Sequence, residues 1–426
     1  MDQGKAKPRR FNPLRFLGPG LVTGAADDDP SGIATYSQAG AAFGLGMLWT
    51  VVLTLPFMVA IQLISARIGR VTGEGIISNV KATFPRPVVL ALVALLVAAN
   101  VINIAADLAA MGDALKLVIG GGQHGYALIF GVLCMSLEIF IPYRRYSPIL
   151  KWLTLVLFAY VATVLSIDVP WGEAVHQTIF PTLSLSPEYL LVVVGVFGTT
   201  ISPYLFFWQA SQEVEDMRNG HKHRPLKDIK HKGGDPVLRR IAIDTVMGMT
   251  FSNLIAYFII VTTAVTLHTH GITDIQTSAQ AAEALRPLAG QATFLLFALG
   301  IVGTGLLAVP VLAGSAAYGL GEALNLRTGL DAAPSQAKGF YTIIGVATLA
   351  GVVADFSSLD PIKMLFWSAV INGVVAVPIM AVMIVIASHS ERMGIYAIPL
   401  SIQTAGWAAT AIMAIAVVAM GWTLIP

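Results

Sequence analysis

The chain has few charged residues and a single cysteine. Only 12% of its 426 residues are charged and 56% are apolar, against about 25% charged in an average soluble domain. This composition excludes a soluble enzyme, a disordered protein and a nucleic-acid-binding protein. Cys134 alone cannot build an intramolecular disulfide framework or a cysteine-rich metal site.

Catalytic signatures and a secretory leader are also missing. The sequence contains no His-Glu-x-x-His and no Gly-x-Ser-x-Gly, which disfavours an intramembrane enzyme. The first residues, MDQGKAKPRRFNPLR, are basic but lead into no short apolar run with a cleavage site. We therefore expect no signal peptide, no enzymatic activity, no resident cofactor and no obligate protein partner.

Long apolar runs account for most of the chain. The mean hydropathy is +0.74, and a run of about 20 apolar residues is enough to span a bilayer. Hydropathy predicts one all-α integral membrane domain over residues 1–426. Its eleven spans are 18–42, 47–66, 88–113, 124–142, 149–167, 188–213, 241–267, 292–324, 339–355, 361–387 and 396–424.

The distribution of basic residues predicts the orientation of these spans. If residues 1–17 are cytoplasmic, 23 of the 26 Lys and Arg residues fall on the inner side, as the positive-inside rule requires. Only Lys116, Arg286 and Lys363 fall elsewhere. We expect a plasma-membrane protein with its N-terminus in the cytoplasm and its C-terminus outside.

Two spans are interrupted in the same way. The first contains DDDPSG at 27–32, and the sixth contains TTISPY at 199–204. Proline removes a helical hydrogen bond, and unwound backbone at membrane depth persists only where protein or water satisfies it. The two prolines lie 173 residues apart and open two five-span halves, 18–167 and 188–387, with 396–424 as an extra helix. Matching breaks in inverted halves point to a transport site at the midplane.

The first break carries three carboxylates in a span that has no basic residue. Asp27, Asp28 and Asp29 are successive, so their side chains cannot all face one site. Asp29 adjoins the break and is the best-placed ligand. We expect Asp27 and Asp28 to line the approach or to hold a proton. A cation or protonation must compensate their charge.

The ligands expected at the breaks are hard oxygen atoms. Ser202 offers a hydroxyl, Thr199 or Thr200 offers a carbonyl, and neither break contains a thioether or imidazole. Such oxygen ligands suit Mg²⁺ or Mn²⁺. The predicted metal site comprises Asp29, Gly32, Thr199 and Ser202, with Asp27, Asp28, Tyr204, Gln209 and Asn372 along the substrate pathway.

The segment GPGLVTGAADDDPSGIATYSQAGAAFGLGMLW resembles the first helix of the Nramp family of divalent-metal transporters. That family has Gly-Pro-Gly, an Asp-Pro-Gly-Asn break and a following Gln-Ala-Gly, and its sixth span has a Met-Pro-His break. The resemblance also includes Asp107-Leu108-Ala109 and Asp360-Pro361. It implies a leucine-transporter-type fold, with ten spans in a 5+5 inverted repeat plus one and with helices 1 and 6 broken.

Several positions depart from the family pattern. The metal-binding aspartate falls on Asp29, but the asparagine ligand falls on Gly32, the methionine on Ser202 and the histidine on Tyr204. Without the thioether a preference for soft metals is lost, and a smaller ligand set leaves room for a partly hydrated ion. These changes resemble the Nramp-related magnesium transporters. They predict transport of Mg²⁺ and Mn²⁺ with weak or absent proton coupling.

Polar residues inside other spans are secondary candidates. Asp107, Asn103 and Asn100 share one face of span 3. The family resemblance implies a proton route at Asp107, whereas a polar helix–helix contact is the plainer interpretation. Asn253 and Asn372 either reach the site or join helices. Gln209 is suited to complete a hydration shell.

The sequence leaves two alternatives open. A carrier of the same fold would hold an organic solute, such as an amino acid, at helix N-termini, although three aspartates disfavour an anion there. His221, His223 and His231 in the polar segment 217–240 are either a metal site or a solvated loop. We interpret them as solvated.

Overall fold

A computed structural model describes residues 19–141, 154–219, 224–228, 235–356 and 360–424. Within these ranges all the regular secondary structure is helical, and there is no strand. The predicted histidine loop (His221, His223 and His231) and the start of the fifth predicted span lie outside the described residues.

The long helices follow the predicted apolar runs along the chain, and short helices lie between them. They are α1 Pro19–Asp27, α2 Pro30–Phe43, α3 Leu48–Thr72, α4 Ile76–Lys81, α5 Arg86–Ile119, α6 Gln123–Phe140, α7 Phe158–Ser166, α8 Trp171–Ile179, α9 Pro187–Thr200, α10 Pro203–Asn219, α11 Asp235–Thr266, α12 Ser278–Glu283, α13 Arg286–Ala289, α14 Thr293–Ala323, α15 Lys338–Asp355, α16 Pro361–Ser388, α17 Ser390–Met393 and α18 Leu400–Leu424.

The number of membrane crossings stays a prediction. In the described part of the chain, nine helical segments are long and apolar enough to cross a membrane, and a bent pair, 155–166 with 171–179, would make ten. One of the nine, 30–72, has 43 residues, about 65 Å of helix, or twice a hydrocarbon core. A 3₁₀ turn with Gly44 at φ 58° divides it, between the first and second predicted spans.

Both predicted breaks are present. The first span is split between α1 and α2 by Asp28 and Asp29, and the sixth is split between α9 and α10 by Ile201 and Ser202. Each second half begins with a proline, which has no N–H to satisfy at the first helical position and so favours a fresh start there.

The packing of the helices relates the two halves. Half-helix α2, the second half of the first span, packs on α11, the seventh span, and half-helix α10, the second half of the sixth span, packs on α3, the second span. The long helices α5 and α14, the third span of each half, pack against one another. These reciprocal contacts are those expected when two five-span repeats are related by a pseudo-two-fold axis in the membrane plane.

Small residues allow the half-helices to approach their neighbours closely. A Cβ added to Gly198 on α9 would lie 2.0 Å from the Ala369 carbonyl oxygen and 2.4 Å from the Gly373 backbone nitrogen on α16. Such close contact between backbones is the usual role of glycine in membrane helix interfaces.

We predict that Gly198→Ala destabilises the protein, because the added methyl group meets backbone atoms that cannot rotate away. Overpacking of this kind costs about 1–3 kcal/mol. Thermal unfolding in detergent should show a lower Tm. Gly421→Ala on α18 is the control, since no atom lies within 4 Å of its added Cβ; equal Tm values for the two variants would contradict the prediction.

Candidate metal-binding site

The carboxylate of Asp29 lies at the first break and caps α2. Its backbone is extended, with φ −72° and ψ 171°, and its Oδ1 accepts a hydrogen bond of 2.6 Å from the Gly32 N–H. An N-cap aspartate satisfies one of the free N–H groups of the first helical turn. The helix cap therefore fixes one carboxylate oxygen, Oδ1, and Oδ2 is left for other partners.

The second oxygen of Asp29 meets two other elements. Tyr204 on α10 has its hydroxyl oxygen 3.2 Å from Asp29 Oδ2, and the Asn103 side-chain amide on α5 donates to the same oxygen over 3.4 Å. The Tyr204 hydroxyl also lies 2.9 Å from the Ala26 carbonyl oxygen at the end of α1. Its single hydrogen is therefore shared between two acceptors. Both broken spans and the third span thus converge on one buried carboxylate.

The two breaks approach each other at Gly32. A Cβ at this position would lie 3.3 Å from Thr199 Oγ1 and 3.3 Å from the Asp27 carbonyl oxygen. A larger residue at position 32 would have to push the two breaks apart. Gly32 thus places freed backbone and a threonine hydroxyl beside Asp29.

Ser202 lies at the second break, and its side chain bonds to the half-helix that precedes it, α9. Its hydroxyl is 2.7 Å from the Gly198 carbonyl oxygen and 2.9 Å from the Thr199 carbonyl oxygen. The hydroxyl hydrogen is therefore used within the half-helix, and the lone pairs of Oγ are the part that can accept.

Asp27 and Asp28 share a partner that sequence reasoning did not identify. Ser252 on α11 has its Oγ 2.5 Å from Asp27 Oδ2 and 3.0 Å from Asp28 Oδ1. One hydroxyl can donate only one hydrogen, and Asp27 Oδ1 and Asp28 Oδ2 are buried without a hydrogen-bond partner in the described structure. The pair therefore has far more acceptors than donors.

Ser252 is adjacent to Asn253, the residue that the sequence singled out in this span. Asn253 donates instead to the Val51 carbonyl oxygen over 2.9 Å, so it joins α11 to α3 rather than reaching the site. Two adjacent polar residues in an apolar helix were the sequence feature that could have indicated Ser252. Of these two residues, Ser252 faces the first break and Asn253 faces α3.

Of the three polar residues predicted to share one face of α5, one bonds to Asp29. Asn103 reaches Asp29, whereas Asn100 donates to the Leu312 carbonyl oxygen over 2.9 Å. Asp107 is completely buried, and neither of its carboxyl oxygens has a hydrogen-bond partner among the described residues.

Two predicted pathway residues make no hydrogen bond to Asp29 in the described part of the chain. Gln209 donates to Thr245 Oγ1 over 3.2 Å. Asn372 is buried on α16, and its Oδ1 has no partner within the same residues.

Among the described residues, no basic side chain pairs with these carboxyl groups. Asp27, Asp28, Asp29 and Asp107 are at most 2% exposed, and none forms a salt bridge with another described residue. The described residues also contain no group of three His, Cys, Asp or Glu side chains able to hold a metal. A cation here would need hydroxyl, carbonyl and water oxygens besides a carboxylate, which is a donor set that suits hard divalent ions.

Comparison with known proteins agrees with this architecture. The profile of the family described as "Natural resistance-associated macrophage protein-like", Nramp, matches residues 20–423. The divalent metal cation transporter MntH of Klebsiella pneumoniae strain 342 is 27% identical over 439 aligned residues, which cover 100% of this chain and 97% of that protein.

Solved structures show the same fold. A manganese transporter from Eremococcus coleocola superposes with a TM-score of 0.75 at 16% identity, covering 99% of this chain and 90% of that one. Mhp1, a nucleobase-cation-symport-1 transporter in a closed conformation, gives 0.61 at 14% identity, with 96% and 92% covered. The leucine-transporter-type fold with helices 1 and 6 broken is thereby confirmed.

The family match extends through both broken spans and all the helices that surround Asp29. The chain is a multi-pass membrane protein that belongs to the Nramp family.

Proposed function

We propose that this protein carries divalent metal cations across the membrane by alternating access, with the ion bound at the two helix breaks. The observation that carries the proposal is the position of Asp29. It is a buried carboxylate without a basic partner in the described parts of the chain, and donors from the sixth and third spans meet it. Membership of the Nramp family and the names of the transporters from Klebsiella and Eremococcus support it.

The proposed ligand set consists of oxygen atoms. Asp29 Oδ2 contributes the charge, the lone pairs of Ser202 Oγ and freed carbonyl groups near Thr199 add neutral ligands, and water completes the set. When an ion binds, it replaces the donors from Tyr204 and Asn103 as the partner of Asp29. Asp27 and Asp28 line the approach to this site. Gln209 and Asn372 lie on the pathway outside the direct ligand set.

The proposed cargo is Mg²⁺ and Mn²⁺, with weak discrimination between them. No sulfur atom lies at either break, and thioether ligands are what select softer metals. Mg²⁺ loses water reluctantly and keeps part of its hydration shell, which the small side chains at Gly32 and Ser202 would permit. We propose import, with the N-terminus cytoplasmic and the C-terminus outside, as the basic residues indicate.

We predict that Asp29→Asn reduces Mg²⁺ and Mn²⁺ uptake into proteoliposomes at least about tenfold. Asparagine is as good an N-cap as aspartate, so α2 is kept while the negative charge is lost. Asp360→Asn is the matched control, because Asp360 caps the proline-initiated helix α16 through the Ile362 N–H at 2.9 Å. Uptake that is unchanged in Asp29→Asn, or equally reduced in both variants, would overturn the assignment of Asp29.

A thioether at the second break should sharpen selectivity. We predict that Ser202→Met raises the ratio of Mn²⁺ to Mg²⁺ uptake about tenfold, because sulfur favours the transition metal. Ser202→Leu controls for size without sulfur and should lower both rates together. The same ratio in the methionine and leucine variants would show that position 202 does not contact the ion.

We further predict that uptake proceeds with little proton movement. Tyr204 occupies the position at which a histidine would exchange protons near neutral pH. A pH-sensitive dye inside the liposomes should therefore record no acidification during Mg²⁺ uptake. Acidification in proportion to the metal transported, and lost in Asp107→Asn, would establish a proton route and contradict this expectation.

A further inference from the structure

The side-chain amide of Asn103 on α5 meets Asp29 with its nitrogen, and its oxygen is unused. Nδ2 donates to Asp29 Oδ2 over 3.4 Å, which is longer than the usual N–H···O distance of about 2.7–3.2 Å. Oδ1 is buried and has no hydrogen-bond partner among the described residues. The amide is therefore weakly held in this orientation, and its acceptor is available.

Asn100 lies on the same face of α5 but is held differently. Its Nδ2 donates to the Leu312 carbonyl oxygen over 2.9 Å, and its Oδ1 is likewise buried without a partner in the described structure. The Leu312 carbonyl keeps its partial negative charge whatever binds at the breaks, so it always favours the same orientation of Asn100. The charge of Asp29, in contrast, is what a bound cation neutralises. The group that orients Asn103 therefore changes when an ion binds.

A cation at Asp29 reverses the orientation that the Asn103 amide prefers. The N–H₂ group carries partial positive charge and is repelled by a cation. The amide oxygen is a hard neutral ligand of the kind that suits Mg²⁺ and Mn²⁺. The terminal torsion of asparagine is broad and roughly two-fold, so a half-turn exchanges the two atoms without moving the helix.

The spacing of the two side chains fits a shared ion. After a half-turn, Asn103 Oδ1 takes nearly the position of Nδ2, 3.4 Å from Asp29 Oδ2. Adjacent ligands of an octahedral Mg²⁺, each about 2.0–2.1 Å from the metal, lie about 3.0 Å apart. The two oxygen atoms therefore need to approach by only about 0.4 Å to occupy neighbouring corners of one octahedron.

Asp107 offers the turned N–H₂ group an acceptor on its own helix. It follows Asn103 by four residues, so the two side chains are neighbours on one face of α5. Both of its carboxyl oxygens are buried without a hydrogen-bond partner in the described ranges. The half-turn thus replaces the bond to Asp29 with a bond to a carboxyl group that otherwise accepts from no described residue.

We propose that Asn103 is a direct ligand of the transported ion. Without the ion, its N–H₂ group stabilises the carboxylate of Asp29. With the ion, its Oδ1 binds the metal beside Asp29 Oδ2, and its N–H₂ group donates to Asp107. The third span then supplies a ligand together with the two broken spans. This inference rests on the proposed function, since it adds one neutral oxygen to the ligand set of Asp29.

The test is Mn²⁺ binding to the full-length protein in nanodiscs of zwitterionic lipid, measured by electron paramagnetic resonance. Asn103→Leu is similar in size but can neither donate nor accept, and it should weaken Mn²⁺ binding at least about tenfold. If Asn103 only donated to Asp29, its removal would leave the affinity unchanged or raise it, because the ion would have one hydrogen bond fewer to displace. The sign of the change therefore separates a ligand from a donor.

Asn103→His gives a spectroscopic readout of contact with the ion. An imidazole nitrogen bound to Mn²⁺ produces nitrogen coupling in the electron spin echo. We expect this coupling in Asn103→His. The matched controls are Asn100→Leu and Asn100→His, because Asn100 is as buried as Asn103 and has the same unpaired oxygen in the described structure but bonds to the Leu312 carbonyl. They should leave Mn²⁺ affinity unchanged and show no such coupling.

The assignment of Asn103 is overturned if Asn103→Leu binds Mn²⁺ as tightly as the wild type, if Asn103→His shows no nitrogen coupling, or if the Asn100 variants behave like those of Asn103. Should Asn103→Leu not fold, the coupling in Asn103→His decides. Asp29→Asn distinguishes the two proposals. A wild type that binds Mn²⁺ no better than Asp29→Asn overturns the proposed metal site itself. A wild type that binds through Asp29, with unchanged affinity in Asn103→Leu, overturns the role of Asn103 alone.

Discussion

Uncompensated negative charge inside the membrane is the constraint on which the rest of this structure depends. A single carboxylate at mid-bilayer costs about 2.5–3.5 kcal/mol on insertion scales, and four of them, Asp27, Asp28, Asp29 and Asp107, are buried here without an ion pair among the described residues. The broken helices reduce this cost locally. The Gly32 N–H, the Tyr204 hydroxyl and the Asn103 amide all meet Asp29. Among the described side chains, Ser252 alone bonds to the carboxyl groups of the other two aspartates of the first break. A bound cation would compensate the negative charge that these donors do not.

The features that could be predicted from the sequence are those set by local physics. Apolar runs long enough to cross a bilayer locate the helices, and Pro30 and Pro203 locate the breaks, because neither proline can continue the helix that precedes it. Asp29 was identifiable as the central carboxylate for the same reason. It immediately precedes the proline, where an aspartate caps the new helix and cannot be directed along the old one.

Contacts between distant segments could not be predicted in this way. Periodicity placed Asn103 and Asp107 on one face of α5, but only the packing of α5 against the breaks shows that Asn103 reaches Asp29 while Asp107 has no hydrogen-bond partner in the described structure. The sequence did not distinguish Ser252 from its neighbour Asn253. Polar residues in membrane helices more often join helices than bind a ligand, and that is the role of Asn253 alone. The role of Tyr204 depends on a carbonyl 178 residues earlier, a separation that no local pattern encodes.

The hydrogen bond between Tyr204 and the Ala26 carbonyl has a consequence for motion. It ties the end of α1 to the start of α10, so it joins one half of the protein to the other at the level of Asp29. A movement that separates these half-helices must break the bond and leave a buried carbonyl without a donor until water arrives, at a cost of about 1–3 kcal/mol. We therefore expect the two halves to change their arrangement together at this level, at a rate set partly by how readily water reaches the Ala26 carbonyl.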